Sequence, residues 1–250
     1  MDLHLSDKTA LVTGASAGIG RAIARGLAAE GVRTAVVARR TELLESLALE
    51  IVAAGGPKPC IITADVMDEE SVVAIAREAR LGLGQVDILV NCAGGSRPMP
   101  VDAPEERWEE AMTLNFTRVR QLTHALLPGM TERGWGRIVN ITGKSEPEGL
   151  NAAFSAKAAV HAWAKGLSRE VGRYGITINC IPPGRIISEQ IERNYPPEYR
   201  AEHAAKEIPM GRYGEPEELA CLAVFLCSPI AQYITGAVLP VDGGLRRYSF

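Results

Sequence analysis

Short β-branched runs, apolar on both faces, alternate with helical segments from one end of this chain to the other. Strands of that kind, each followed by a helix, bury themselves only in a parallel sheet covered on both sides. Strands are expected at 9–13, 33–38, 60–63, 86–90, 137–141 and 176–181, with a short last one at 238–241. Helices are expected at 19–30, 41–54, 69–80, 104–130 and 152–172, with Asp68 as N-cap of the third. The pattern predicts an α/β fold, a doubly wound parallel sheet of about seven strands with helices on both faces. The 250 residues fill a single domain, 1–250. From 187 to 214 the pattern breaks into Pro- and charge-rich segments, so 185–214 is expected to be a substrate-binding loop or lid.

Composition excludes several functions. A net charge of −3, with basic runs no longer than Arg39-Arg40 and Arg246-Arg247, gives no nucleic-acid-binding face. No segment approaches the roughly 20 apolar residues of a membrane span. The five cysteines form no C-x-x-C pair and no zinc spacing, and read as reduced thiols of a soluble, cytoplasmic protein. The four histidines (His4, His124, His161, His203) show no H-x-x-H pattern and read as surface or helix residues, so no metal is expected.

Between the first strand and first helix stands Thr13-Gly14-Ala15-Ser16-Ala17-Gly18-Ile19-Gly20. Glycine there permits a tight turn and a close approach to a pyrophosphate, which the N–H groups of the helix start can bind. Ser16, Ala17, Gly18, Ile19 and Gly20 are therefore cofactor-binding candidates along with Gly14. A carboxylate at the end of the second strand would select NAD. Here Arg39 and Arg40 follow Ala38, and a guanidinium suits the extra phosphate of NADP(H), the preferred cofactor. The bland alternative is a pair of solvated arginines at a helix start.

Further motifs occur in order: Asp65-Val66 after the third strand, Asn91-Cys92-Ala93-Gly94 after the fourth, and Asn115 as the one polar member of a helical stripe. That stripe runs Trp108, Met112, Asn115, Val119, Leu122 and Leu126 at spacings of 4, 3, 4, 3 and 4. Lys157 follows on the next helix, then Pro183-Gly184-Arg185-Ile186-Ile187-Ser188, and a tail running from Tyr233 to Gly244. In these positions, and in Thr13, Gly14, Gly18 and Gly20, the chain resembles the short-chain dehydrogenase/reductase family, 3-oxoacyl-reductase-like, over nearly its whole length. The resemblance implies a Rossmann fold. It places adenine at Asp65 and Val66, and adds Asn91, Ala93, Gly94, Pro183, Gly184, Ile186 and Ser188 to the cofactor site. It further implies that Lys157 orients the nicotinamide ribose, that Asn115 supports a water chain to Lys157, and that the protein is a homotetramer or homodimer.

The same alignment leaves Ala153 where the family has its proton-transferring Tyr, four residues before Lys157, and Gly143 where it has a Ser that holds the substrate oxygen. Phe154, next to Ala153, should face another direction. A positioned general acid contributes roughly 10²–10⁴ in rate, so its loss need not abolish turnover. Thr142, Lys144 and Ser145 are candidate replacements. Arg97, Lys144 and Arg185 could form a cationic rim selecting an anionic small-molecule substrate, with scattered surface charges as the alternative. Tyr195, Tyr199 and Tyr213 could supply a phenol, or serve only in packing. Three functions fit: an NADP(H)-dependent oxidoreductase of carbonyl/alcohol pairs with a non-standard proton donor, a cofactor-binding sensor without turnover, or a non-redox enzyme using bound cofactor.

Overall fold

The computed structural model describes residues 2–143 and 149–248. Six parallel strands lie in the order β3-β2-β1-β4-β5-β6. They are β1 (Thr9–Thr13), β2 (Arg33–Ala38), β3 (Cys60–Thr63), β4 (Ile88–Asn91), β5 (Gly136–Ile141) and β6 (Ile176–Ile181). The expected last strand at 238–241 joins β6 through two isolated parallel bridges, Cys180 to Val238 and Pro183 to Val241. Alternation along each strand sends side chains to opposite faces. Ala10 and Val12 pack with helices α1 (Gly18–Ala29), α2 (Thr41–Ala53) and α9 (Pro216–Leu226). Leu11 packs with α3 (Ser71–Leu83), α5 (Arg118–Arg133) and α6 (Ala152–Val171) on the other face. Both faces of the sheet are thus buried, the doubly wound arrangement that the apolar runs predict.

Three local expectations are corrected. The third helix begins at Ser71 after Glu70, and Asp68 is not its cap. Asp68 instead closes a turn in which its carbonyl accepts from Ser71 N at 3.2 Å. The helix expected over 104–130 is two helices, α4 (Glu105–Met112) and α5, joined by a π-helical turn at Thr113–Thr117. The segment after 187 is not irregular: it forms α7 (Glu189–Asn194) and α8 (Pro197–Glu207). The prolines that suggested a break serve the helix start, since Pro197 occupies the first turn of α8, where a missing N–H costs nothing.

Order reverses at β1, which has β2 on one side and β4 on the other. The loops leaving β1 and β4 therefore diverge and open a crevice at the strands' carboxyl ends, where ligands of such sheets bind. Among the described residues, no helix is long and apolar enough to cross a membrane.

Candidate active site

Thr13, the last residue of β1, ties the two diverging loops together. Its hydroxyl accepts from Cys92 N and Ala93 N, each at 3.1 Å. The glycine turn is then pressed against the β4 loop. Gly14 has φ of +68°, and a Cβ there would lie 2.8 Å from Ala93 N, so no other residue fits. A Cβ at Gly20 would meet the Gly14 carbonyl oxygen at 2.3 Å. Ala17 begins α1 without any side-chain cap, and the first turn carries no acid. The N–H groups and positive dipole end of α1 therefore face the crevice, which suits a pyrophosphate.

Arg39 and Arg40 stand at the end of β2 beside this turn. Arg39 is largely exposed and lies 3.4 Å from Asp65 Oδ2. Asp65 Oδ1 accepts from Met67 N, which shapes the loop holding Val66. Arg40 donates to Ser16 Oγ at 3.3 Å and to both oxygens of Glu189 at 2.9 and 3.2 Å. Ser188 caps α7 by accepting from Ile191 N, and its Cβ lies 3.7 Å from the Cβ position of Gly18. Gln190 donates to the Ser96 carbonyl at 3.0 Å. Helix α7 is thereby strapped across the mouth of the crevice from both banks. Asn91, expected at the cofactor, uses its buried amide to donate to Asn140 Oδ1 at 2.9 Å and Thr123 Oγ1 at 3.2 Å. It braces β4 against β5 and α5.

The π-helical turn presents Asn115, which is buried. Its Oδ1 accepts from Gly95 N at 3.1 Å and its Nδ2 donates to the Ala111 carbonyl at 2.9 Å. Extra-residue turns of this type recur at functional sites because they offer a carbonyl or side chain out of helical register. A Cβ on Gly94 would lie 3.0 Å from Asn115 Oδ1 and 3.6 Å from Lys157 Nζ, so glycine lets these two groups approach the β4 loop. Lys157 Nζ donates to the Thr142 carbonyl at 3.0 Å. Burial lowers the Lys157 ammonium from its usual value, with Cys92 opposing. Burial pushes the Cys92 thiol up to about 12, so it is an inert neighbour.

Thr142, a candidate proton donor, is buried, and its hydroxyl lies 2.7 Å from His161 Nε2. His161, expected as a surface or helix residue, lies on α6, half-buried one helical turn beyond Lys157. Burial and the neighbouring Lys157 charge both lower its pKa. Sequence spacing could have flagged it: residues four apart on a helix share a face. Lys144 and Ser145 lie outside the described residues. A Cβ at Gly143 would lie 3.0 Å from Lys157 Cδ and 3.8 Å from the Phe154 ring, so Phe154 lies beside Gly143 while Ala153 faces the cavity with Asn115. Arg97 and Arg185 do not meet. Arg97 lines a cavity with Arg107, Asn115 and Ala153, whereas Arg185 lines another with Arg212 and Asp242. The Arg185 guanidinium sits over the Tyr195 ring, 5.5 Å from its centroid. Tyr195 stacks on Tyr199, Tyr199 on His203, and the Tyr213 hydroxyl lies 3.3 Å from His203 Nδ1. The three tyrosines thus form one aromatic ladder with His203 in the segment from 195 to 213.

Residues 14–246 match the family model described as enoyl-(acyl carrier protein) reductase. The chain is 37% identical to the 3-oxoacyl-[acyl-carrier-protein] reductase of Pseudomonas aeruginosa, over 97% of this chain and 99% of that one. It superposes with a TM-score of 0.93 on L-sorbose reductase from Gluconobacter frateurii complexed with NADPH and L-sorbose, at 33% identity over 99% of this chain and 100% of that one. A 7α-hydroxysteroid dehydrogenase complexed with NADH and a 7-oxo bile acid superposes with a TM-score of 0.92, at 34% identity over 97% of this chain and 96% of that one. With a parallel sheet that reverses order at its glycine turn, and relatives that match it nearly end to end, the chain belongs to the short-chain dehydrogenase/reductase family.

Proposed function

We propose that the protein is an NADP(H)-dependent oxidoreductase acting on a carbonyl/alcohol pair, with a proton donor other than the family's tyrosine. The observation that carries this is the uncapped start of α1 beside Ser16, Arg39 and Arg40, with no acid at the end of β2. The cleft fits a dinucleotide: glycines line it where a Cβ would close it. The N–H groups from Gly18 to Gly20 would hold the pyrophosphate, and Asp65 and Val66 the adenine. Arg39 and Arg40 would hold the 2′-phosphate, and Lys157 the nicotinamide ribose. Ala93, Gly94 and the segment Pro183, Gly184, Ile186 and Ser188 would flank the nicotinamide. When bound, the cofactor supplies or accepts a hydride. L-sorbose reductase, solved with NADPH, supports this cofactor, while the steroid dehydrogenase solved with NADH makes the arginines the decisive feature.

The residues of the chain then handle the proton. Ala153 and Gly143 stand where the family places its Tyr and Ser, and neither has a hydroxyl. Thr142 would pass a proton only in exchange with His161, to which it is bonded. Lys144 and Ser145, the second and third residues after Thr142 in the sequence, are the other candidate donors. The five cysteines are all unpaired, which suits a cytoplasmic protein. A homotetramer or homodimer acting on a small, anionic substrate completes the proposal.

The absent hydroxyls favour a second function, a cofactor-binding sensor without turnover. Fluorescence titration with NADPH and NADH, followed by turnover on a panel of oxo acids, ketones and aldehydes, separates the cases. Tight NADPH binding with carbonyl consumption supports the reductase. Binding without turnover supports the sensor. Product formed without net cofactor consumption identifies a non-redox enzyme, and loss of both binding events overturns the cofactor assignment.

A further inference from the structure

Ala153 does not pack against a neighbour that fills the space in front of it. It forms part of the wall of a cavity of about 60 Å³ between the β4 loop, α4 and the start of α6. The other walls include Gly95, Arg97, Arg107, Glu110, Asn115 and Asn151. The polar groups here are strongly biased toward donors. Asn115 commits its oxygen to Gly95 N, and Asn151 commits its oxygen to Ala153 N at 2.9 Å. Among the described residues each amide nitrogen makes one bond, to the Ala111 carbonyl and to Ser96 Oγ respectively, and carries a second hydrogen. Arg107 donates to the Pro98 carbonyl at 3.3 Å, and Arg97 is 3.8 Å from Glu110 Oε1. Among the described residues, two guanidiniums against one carboxylate give the cavity wall a net positive charge. Its remaining surface is apolar: Met99, Ala111, Leu114, Ala152 and Ala153.

We propose that this cavity is the subsite for the carboxylate of a short oxo acid, held by Arg107 and Arg97 with the Asn115 and Asn151 amides beside it. This rests on the reductase function above and names its substrate class. A guanidinium grips a carboxylate through two parallel hydrogen bonds, and among the described residues the donor-rich wall has one acidic competitor, Glu110. The cavity is small, about 60 Å³, which suits a carboxylate group. Asn115, one wall of the cavity, adjoins Lys157 across Gly94, so a carboxylate held here places a carbonyl one or two bonds away beside the ribose-binding lysine.

The test is calorimetric titration of the whole chain, with and without NADPH, using 2-oxobutanoate, 3-oxobutanoate and their methyl esters. The acids should bind at least tenfold more tightly than the esters. Arg107→Gln, alone and with Arg97→Gln, should weaken acid binding by about 10- to 100-fold and leave the esters and NADPH affinity unchanged. Unchanged NADPH affinity also shows that the variants fold. Equal binding of acids and esters, or variants that bind acids like the parent, overturns the proposal. Acid turnover insensitive to both arginines would leave the reductase standing without this subsite. Arginine-dependent acid binding without turnover would leave the subsite standing without the reductase.

Discussion

Thr142 Oγ1 and His161 Nε2 lie 2.7 Å apart, while the carbonyl of the same threonine accepts from Lys157 Nζ at 3.0 Å. One residue at the end of β5 thus grips two successive turns of α6 and fixes how far Lys157 projects toward the β4 loop.

This contact makes stability depend on pH. Burial and Lys157 lower the His161 pKa from 6.5, so the folded protein binds this proton less readily than the unfolded chain. Stability is complete above 6.5 and is lost as pH falls from there to the lowered folded value, below which the penalty is constant. His161→Gln should flatten the fall in Tm on acidification without abolishing it, because burial beside Arg120 also lowers the His124 pKa. Identical Tm profiles for the parent and the variant would show that His161 does not titrate in this window.

Glu189 competes for the guanidinium assigned to the cofactor phosphate. Arg40→Ala should raise the Kd for NADPH by about tenfold or more, the effect of one charge-assisted bond, and leave NADH unchanged. Glu189→Gln should have the opposite sign and tighten NADPH by a few-fold, since it releases an ion pair at 2.9 Å that the phosphate must otherwise displace. Fluorescence titration of both cofactors against both variants checks the pair.

If absent hydroxyls limit turnover on neutral ketones, restoring them should help. Ala153→Tyr would enter the cavity beside Asn115, and Gly143→Ser would require Lys157 Cδ, 3.0 Å from the new Cβ, to give by a few tenths of an ångström. Together they should raise kcat on neutral ketones by about 10²-fold or more. The same phenol should exclude oxo acids in direct titration. Unchanged rates in the double variant would show that the native chain already has an adequate acid.

Arg137 is buried to 1% exposure with carbonyls as partners: Ser228 at 3.1 Å, Gly136 at 2.8 Å and Gly175 at 3.0 Å. Burial lowers its pKa to about 10, and its guanidinium rests 4.4 Å from the Trp135 ring centroid. Arg137→Met keeps much of the volume but strands acceptors at a cost of about 1–3 kcal/mol for each one left unmet. A clear drop in the urea midpoint is expected, with the m-value unchanged.

The boundaries of β1, β2, β3 and β6 are legible in the sequence because each is a β-branched run ended by glycine, charge or a turn residue. The glycine turn is equally plain, since Gly14 and Gly20 occupy positions where any Cβ collides with backbone. The π-helical turn is not legible. A stripe spaced 4, 3, 4, 3 and 4 reads as one regular helix, and one extra residue per turn changes no residue type. The four-residue spacing places His161 on the face of Lys157, but its partner, 19 positions earlier on another element, is not legible. The separation of Arg97 from Arg185 belongs to tertiary placement, and spacing along the chain carries no sign of it.

The π-helical turn at Thr113–Thr117 also governs which changes of length the chain tolerates. Such a turn takes up one extra residue within a continuous helix and keeps the helix on either side of it in phase. Removing one residue at Leu114 would regularise the turn and leave α4 and α5 in their places. Helix α5 would remain docked on the sheet through Leu122, Leu126 and Met130, and Arg107 would keep its position on the cavity wall. Asn115, whose side-chain oxygen accepts from Gly95 N, would lose its place out of helical register. The extra residue is thus tied to one side chain and not to the packing of the two helices.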